Sequence, residues 1–253
     1  MQTPEPLLRT EKLTRRFGEF AALTDVDLSV ATGSLHAVIG PNGAGKTTLF
    51  NVLAGQLTPS SGAVYFDGEP VHTLPVHRRT HLGIARSFQI TAVFPELTVR
   101  ENIRLAAQAV SPRVRRSFLR ASTATVLRLD VVDDVLERVG LASLSEVPAA
   151  NLSHGLTRRL EIALALASGP RMLLLDEPLS GMGVDDIAGM EQLLRSLVPD
   201  HTVVLVEHNM PVTLAIADRV SVLVGGQTLL EGTPAQVAAD DRVKDAYLGR
   251  GLL

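Results

Sequence analysis

Gly40-Pro41-Asn42-Gly43-Ala44-Gly45-Lys46-Thr47 fits the spacing G-x-x-x-x-G-K-[ST] at every fixed position. The chemistry that spacing serves is the binding of a phosphate chain. Glycines let the backbone close around phosphate oxygens. The Lys46 amine neutralises the β- and γ-phosphates, the Thr47 hydroxyl is placed to ligate Mg²⁺, and Thr48 follows as a further phosphate-binding residue. A second group ends the apolar run Arg171-Met172-Leu173-Leu174-Leu175 with Asp176 and Glu177. Asp176 suits the Mg²⁺ of the phosphate site. Glu177, one residue on, can polarise a water for attack on the γ-phosphate.

These side chains need a scaffold, and the flanking residues predict one. Leu35-His36-Ala37-Val38-Ile39 reads as a buried strand entering the loop, and Thr47 to Leu53 reads as the helix leaving it. That helix start turns free N–H groups and a partial positive charge toward an anion. A further strand, Thr202 to Glu207, ends at His208, and open α/β sheets bind ligands at the carboxyl ends of their strands. Ser153 is a good N-cap for an amphipathic helix carrying Leu160, Ile162, Ala163, Leu164 and Leu166. The loop and the acidic strand end alone would equally suit a kinase, a GTPase or a motor.

Taken together, the phosphate loop, the Asp176–Glu177 strand end and Leu152-Ser153-His154-Gly155-Leu156 resemble the ATP-binding-cassette (ABC) ATPases. The usual signature there is L-S-G-G-Q. Ser153 and Gly155 match it, while His154 and Leu156 depart from the second glycine and the glutamine. The resemblance implies that this segment binds the γ-phosphate of ATP held by a second subunit. It implies that Phe17 stacks on adenine, although an aromatic on a strand is equally a core residue. It also implies that Gln89 touches Mg²⁺ and links the site to the transporter, and that His208 is the switch histidine near the γ-phosphate. Leu179-Ser180-Gly181-Met182-Gly183 falls at the D-loop position, where Gly183 replaces an acidic or amide residue.

The implied architecture is an α/β P-loop NTPase of ABC type, one domain over 1–253. It has a mostly parallel core sheet, an N-terminal antiparallel β subdomain and a helical subdomain over about 92–165. The implied activity is ATP hydrolysis coupled to transport, with ATP and Mg²⁺ as cofactors. Implied partners are transmembrane permease subunits, a second ATPase subunit in a homodimer or heterodimer and, indirectly, a solute-binding protein. Arg158-Arg159-Leu160-Glu161-Ile162-Ala163, Val206-Glu207-His208-Asn209-Met210 and the tail Glu231-Gly232-Thr233-Pro234 through Ala246-Tyr247-Leu248-Gly249 look like subunits of branched-chain amino-acid importers. Urea and short-chain amide importers have closely similar subunits. ABC ATPases that act on DNA or ribosomes usually carry long coiled-coil insertions or two cassettes, and 253 residues accommodate neither.

Composition agrees. A chain of 253 residues holds one large α/β domain with a substantial core. No apolar stretch approaches the roughly 20 residues that cross a bilayer. The polar start Met1-Gln2-Thr3-Pro4-Glu5-Pro6 lacks a secretory pattern. Both features fit a cytoplasmic protein, and the resemblance implies one that is peripheral on the inner face of the plasma membrane. The absence of cysteine excludes disulfides and thiol chemistry. A formal net charge of -3 argues against a nucleic-acid partner. Five arginines, Arg113, Arg115, Arg116, Arg120 and Arg128, cluster in the helical part and read as a solvated face, with contact to anionic lipid headgroups or an acidic loop of the membrane subunit as the alternatives. Thr98-Val99-Arg100-Glu101 reads as a capping box for a helix from Asn102 to Ala109. Val131 to Val139 reads as a helix stopped by Gly140, Gly225-Gly226 as a hairpin, and Pro234 as the start of a last helix.

Overall fold

The computed structural model describes residues 5–87, 93–109, 129–198 and 200–248. Gln89 and the five arginines from Arg113 to Arg128 lie outside the described residues.

Alternation of apolar and polar residues sets the N-terminal part. β1 (Leu8–Phe17) and β2 (Phe20–Val30) pair antiparallel, and β4 (Ser61–Phe66) and β5 (Glu69–Pro70) complete a four-stranded sheet in the order β2-β1-β4-β5. Val26, Leu28 and Val30 point inward from β2, while Asp25, Asp27 and Ser29 face solvent. The second sheet holds β3 (Leu35–Ile39), β6 (Ile84–Arg86), β7 (Met172–Asp176), β8 (Thr202–Val206), β9 (Arg219–Val224) and β10 (Gln227–Gly232). Its order is β10-β9-β3-β8-β7-β6, parallel throughout except for the β9–β10 hairpin.

β3, β7 and β8 are buried on both faces and mostly apolar, because both faces are covered. Val38, Leu174, Val204 and Val206 pack with the first sheet and with Leu49, Phe50 and Leu53 of α1 (Lys46–Ala54). Leu35, Ala37, Leu173, Leu175, Val203 and Leu205 belong to the other core. That core is built with α3 (Val99–Ala109), α4 (Leu129–Arg138), α5 (His154–Leu166) and α6 (Val184–Ser196). α2 (Val76–Leu82) precedes β6, and α7 (Met210–Ile216) precedes β9. The carboxyl ends of β3 and β7 therefore sit in one sheet, separated only by β8. That is where the phosphate loop, Asp176 and Glu177 begin.

Three boundaries differ from expectation for local reasons. α3 starts at Val99 rather than Asn102. Thr98 is itself the cap: its Oγ1 accepts from Glu101 N at 3.1 Å, and Glu101 Oε2 accepts from Thr98 N at 2.9 Å. The final helix from Pro234 is two helices, α8 (Pro234–Ala239) and α9 (Asp241–Leu248). Asp240 breaks them with extended backbone (ψ 121) and accepts from Arg242 N at 2.9 Å. Strand β8 stops at Val206, which leaves Glu207 outside the ladder. The hairpin turn at Gly225 and Gly226 has positive φ at both residues, as a tight two-residue connection requires.

Candidate functional site

The loop from Gly40 to Lys46 is shaped by close approach. Gly45 has φ +99 and caps α1 with no side-chain hydrogen bond, and a Cβ on it would lie 2.6 Å from the Ala22 carbonyl oxygen. The first N–H groups of α1 thus meet no capping side chain and are available to an anion. Lys46 is buried, and its Nζ donates to the carbonyls of Gly40 at 2.6 Å and Pro41 at 3.1 Å. Burial lowers the pKa of this amine, against the charges of Glu177 and Asp176 that raise it. A cleft of about 280 Å³ is lined by Phe20, Ala22, Asn42, Gly43, Ala44, Gly45, Lys46, Thr47, Thr48 and Glu177.

At the carboxyl end of β7, Asp176 is nearly fully buried, and the next residue, Glu177, lines the cleft. Asp176 Oδ2 accepts from Arg86 Nη2 at 2.8 Å. Burial raises the carboxyl pKa, and the Arg86 bond and charge pull it back. Glu177 adopts φ +50, and its N–H donates to Val206 O at 2.9 Å. Glu177 Oε1 stands 3.9 Å from His208 Nδ1. The Thr47 hydroxyl and the Asp176 carboxylate are hard oxygen donors of the kind Mg²⁺ takes with waters and phosphate oxygens. Arg86 already engages Oδ2 of that carboxylate.

The Ser153 segment is built as its sequence predicts. Ser153 Oγ accepts from Leu156 N at 3.3 Å and opens α5. A Cβ on Gly155 would lie 2.8 Å from the Asp186 carboxylate, so that side chain would have to shift to admit one. His154 packs over Gly181, where a Cβ would come 3.1 Å from the ring. Gly183 caps α6 with no side-chain bond. Neither Ser153 nor Gly155 lines the cleft at the phosphate loop.

Some of the expected site is arranged differently. Phe17 is half exposed beneath the Arg15 guanidinium, 4.6 Å from its ring centre. Its register partner across the hairpin, Phe20, is the aromatic that lines the cleft. Sequence reasoning passed over Phe20, Arg86 and Glu207. Arg86 stands three residues before Gln89, and Glu207 directly before His208. Glu207 is 0% exposed; its Oε1 accepts from Leu179 N at 2.8 Å and its Oε2 from His208 N at 3.2 Å.

Comparison with known proteins places this geometry. The family model "ABC transporter" matches residues 23–180, and "Branched-chain amino acid ATP-binding cassette transporter" matches residues 227–252. The chain is 36% identical over 257 residues to the high-affinity branched-chain amino acid transport ATP-binding protein BraF of Pseudomonas aeruginosa, covering 96% of this chain and 98% of BraF. It is 35% identical over 251 residues to LivG of Escherichia coli, which carries the same description, covering 97% and 98%. A solved nucleotide-free ATP-binding cassette from an ABC transporter superposes with a TM-score of 0.83 at 30% identity, covering 95% of this chain and 98% of that one.

Proposed function

The chain belongs to the ABC transporter family as an ATP-binding cassette, and from that premise we propose that it powers a membrane importer of branched-chain amino acids. It binds and hydrolyses ATP. The observation that carries the solute assignment is the second family match, over residues 227–252. This tail lies outside the stretch matched by the general ABC transporter model, and its own model is named for branched-chain amino acid cassettes. The near full-length likeness to BraF and LivG supports the same reading.

In the proposed mechanism, the loop from Gly40 to Thr48 holds the phosphates of ATP and Lys46 leaves the carbonyls of Gly40 and Pro41 for the β/γ-phosphates. Phe17 and Phe20, together at the hairpin mouth, receive the base. Glu177 takes a proton from the attacking water, and His208 contacts the γ-phosphate. Mg²⁺, held by Thr47, Gln89 and Asp176, would offset the charge on the phosphate oxygens. Two cassettes, identical or related, face each other head to tail, and Ser153 and Gly155 of one complete the ATP site of the other. That Ser153 lies off the cleft of its own protomer supports this arrangement. Hydrolysis removes the bridging phosphate and the pair opens, a switch driven by different ATP affinities of the two states.

We place the contact with the permease subunits on the helical lobe of about 92–165, within a single domain spanning 1–253. An apolar cavity of about 260 Å³ between α2, β6, α3 and α5, lined by Val76, Ile84, Ala85, Ala106 and Leu164, supports this placement. A peripheral position on the cytoplasmic face follows from that role; no helix among the described residues is long and apolar enough to cross a membrane. The test is reconstitution of the chain with the membrane subunits and solute-binding protein of a branched-chain amino-acid importer. ATP-dependent uptake of labelled leucine, isoleucine or valine is expected. Uptake of urea or short-chain amides instead would overturn the solute assignment.

A further inference from the structure

We infer that Glu207 is a positioning residue for ATP hydrolysis, its buried carboxylate holding the backbone from Glu177 to Leu179 so that Glu177 faces the attacking water. This rests on the reading of Glu177 as the base.

β7 and β8 run parallel and in register up to Asp176 opposite Val206. Beyond that rung the ladder stops and the reactive residues begin. Glu177 takes a left-handed conformation (φ +50), rarely adopted by residues other than glycine and kept only where neighbours over-determine it. One restraint is the bond from Glu177 N–H to Val206 O at 2.9 Å. The next residue, Pro178, has no N–H to hold. Leu179 supplies the first amide after Glu177 that can be fixed, and Glu207 Oε1 fixes it at 2.8 Å. The other oxygen accepts from His208 N at 3.2 Å. A single carboxylate therefore ties together the segments that carry Glu177 and His208.

Burying a carboxylate is costly unless it is bonded or paired. Glu207 is fully buried, and among the described residues the one basic side chain within 4 Å of its carboxylate is His208, whose Nδ1 is 3.9 Å away. Burial pushes its pKa up and the two amide bonds pull it down. A polar group kept at this cost, at a strand end between two reactive side chains, is explained by the two amides it restrains. Glu207 does not line the nucleotide cleft, so its effect reaches the chemistry through Glu177 and His208.

The test compares Glu207→Gln with Glu207→Asp in the full chain. Gln keeps an oxygen within reach of Leu179 N–H. Asp keeps the charge but withdraws its oxygens by one methylene. For Glu207→Asp, kcat is expected to fall by about 10- to 100-fold, the usual cost of misplacing a reactive group by about an ångström. The ATP dissociation constant should stay at the wild-type value, and Glu207→Gln should lose less kcat than Asp. Wild-type kcat in Glu207→Asp overturns the proposal. So does a matched loss of kcat and ATP affinity in both variants. In a Glu177→Gln background, Glu207→Asp should add no further loss; an additive drop also overturns it. If Glu177→Gln itself turns over at the wild-type rate, the base assignment is what has failed. If that variant is inactive while Glu207→Asp is normal, the positioning role alone has failed.

Discussion

Arg86 Nη2 lies 2.8 Å from Asp176 Oδ2, in a pair whose side chains are 10% and 2% exposed. The same guanidinium reaches Asn51 Oδ1 at 2.6 Å and Gln56 Oε1 at 2.6 Å. One arginine on the edge strand β6 thus joins the end of the phosphate-loop helix to the carboxylate that closes β7. Arg86→Gln leaves Asp176 buried without its cation. Removing one partner of a buried pair costs about 3–5 kcal/mol. Urea denaturation is expected to show a loss of that order at neutral pH, with reduced retention of Mg²⁺-ATP. A variant as stable as wild type would show that the pair contributes nothing.

His36 gives the fold an acid limit. It is 0% exposed on β3, its Nε2 is 2.8 Å from Ser221 Oγ, and burial, with Arg219, pushes its pKa down to about 4 from 6.5. The unfolded imidazole accepts a proton near pH 6.5 and the folded one does not. The stability it contributes is therefore complete above pH 6.5 and is lost as pH falls toward 4. The loss is on the order of 3 kcal/mol, from about 1.4 kcal/mol per pKa unit. Comparing unfolding free energies of wild type and His36→Asn at pH 7 and pH 4.5 isolates it, since other carboxylates titrate alike in both. The variant should lose less stability than wild type over that interval; equal losses would remove His36 as the cause.

The shared site is tested by complementation. Lys46→Ala removes a cation from a partly desolvated phosphate loop and should weaken ATP binding by about 10- to 100-fold, the equivalent of a charged hydrogen bond or more. Ser153→Arg should leave ATP binding by the single subunit intact and block turnover. Each variant alone is then inactive. Mixed, they form dimers in which one site collects both defects and the other keeps both wild-type halves, so partial ATPase activity should return. No recovery where mixed dimers demonstrably form would contradict head-to-tail sites that work independently.

Most of the phosphate site was legible because it is local. The loop Gly40–Thr47, the strand ending at Asp176 and the Ser153 cap are each contained in a few consecutive residues, and each forms as its sequence predicts. What escaped depends on register between distant segments. Phe17 and Phe20 are equally good strand aromatics, and only their pairing across the hairpin puts Phe20 on the cleft. Arg86 becomes important because β6 lies beside β7, and Glu207 because β8 ends one residue before it. The break at Asp240 was hidden because Asp240 continues a polar helical pattern until its backbone turns extended. The roles of Gln89 in Mg²⁺ contact and of the Arg113–Arg128 cluster fall outside the described residues.

Glu177→Gln tests the central claim most directly. The substitution keeps size and hydrogen bonding and removes the carboxylate proposed as the base, which stands beside His208 with its oxygen 3.9 Å from His208 Nδ1. Steady-state hydrolysis is expected to fall by about 10²–10⁴-fold, the usual contribution of general-base catalysis. ATP binding should persist, and the variant should accumulate as an ATP-bound dimer by size-exclusion chromatography. Hydrolysis at the wild-type rate, with no dimer trapped by ATP, would contradict the account and make His208 the first candidate for the base.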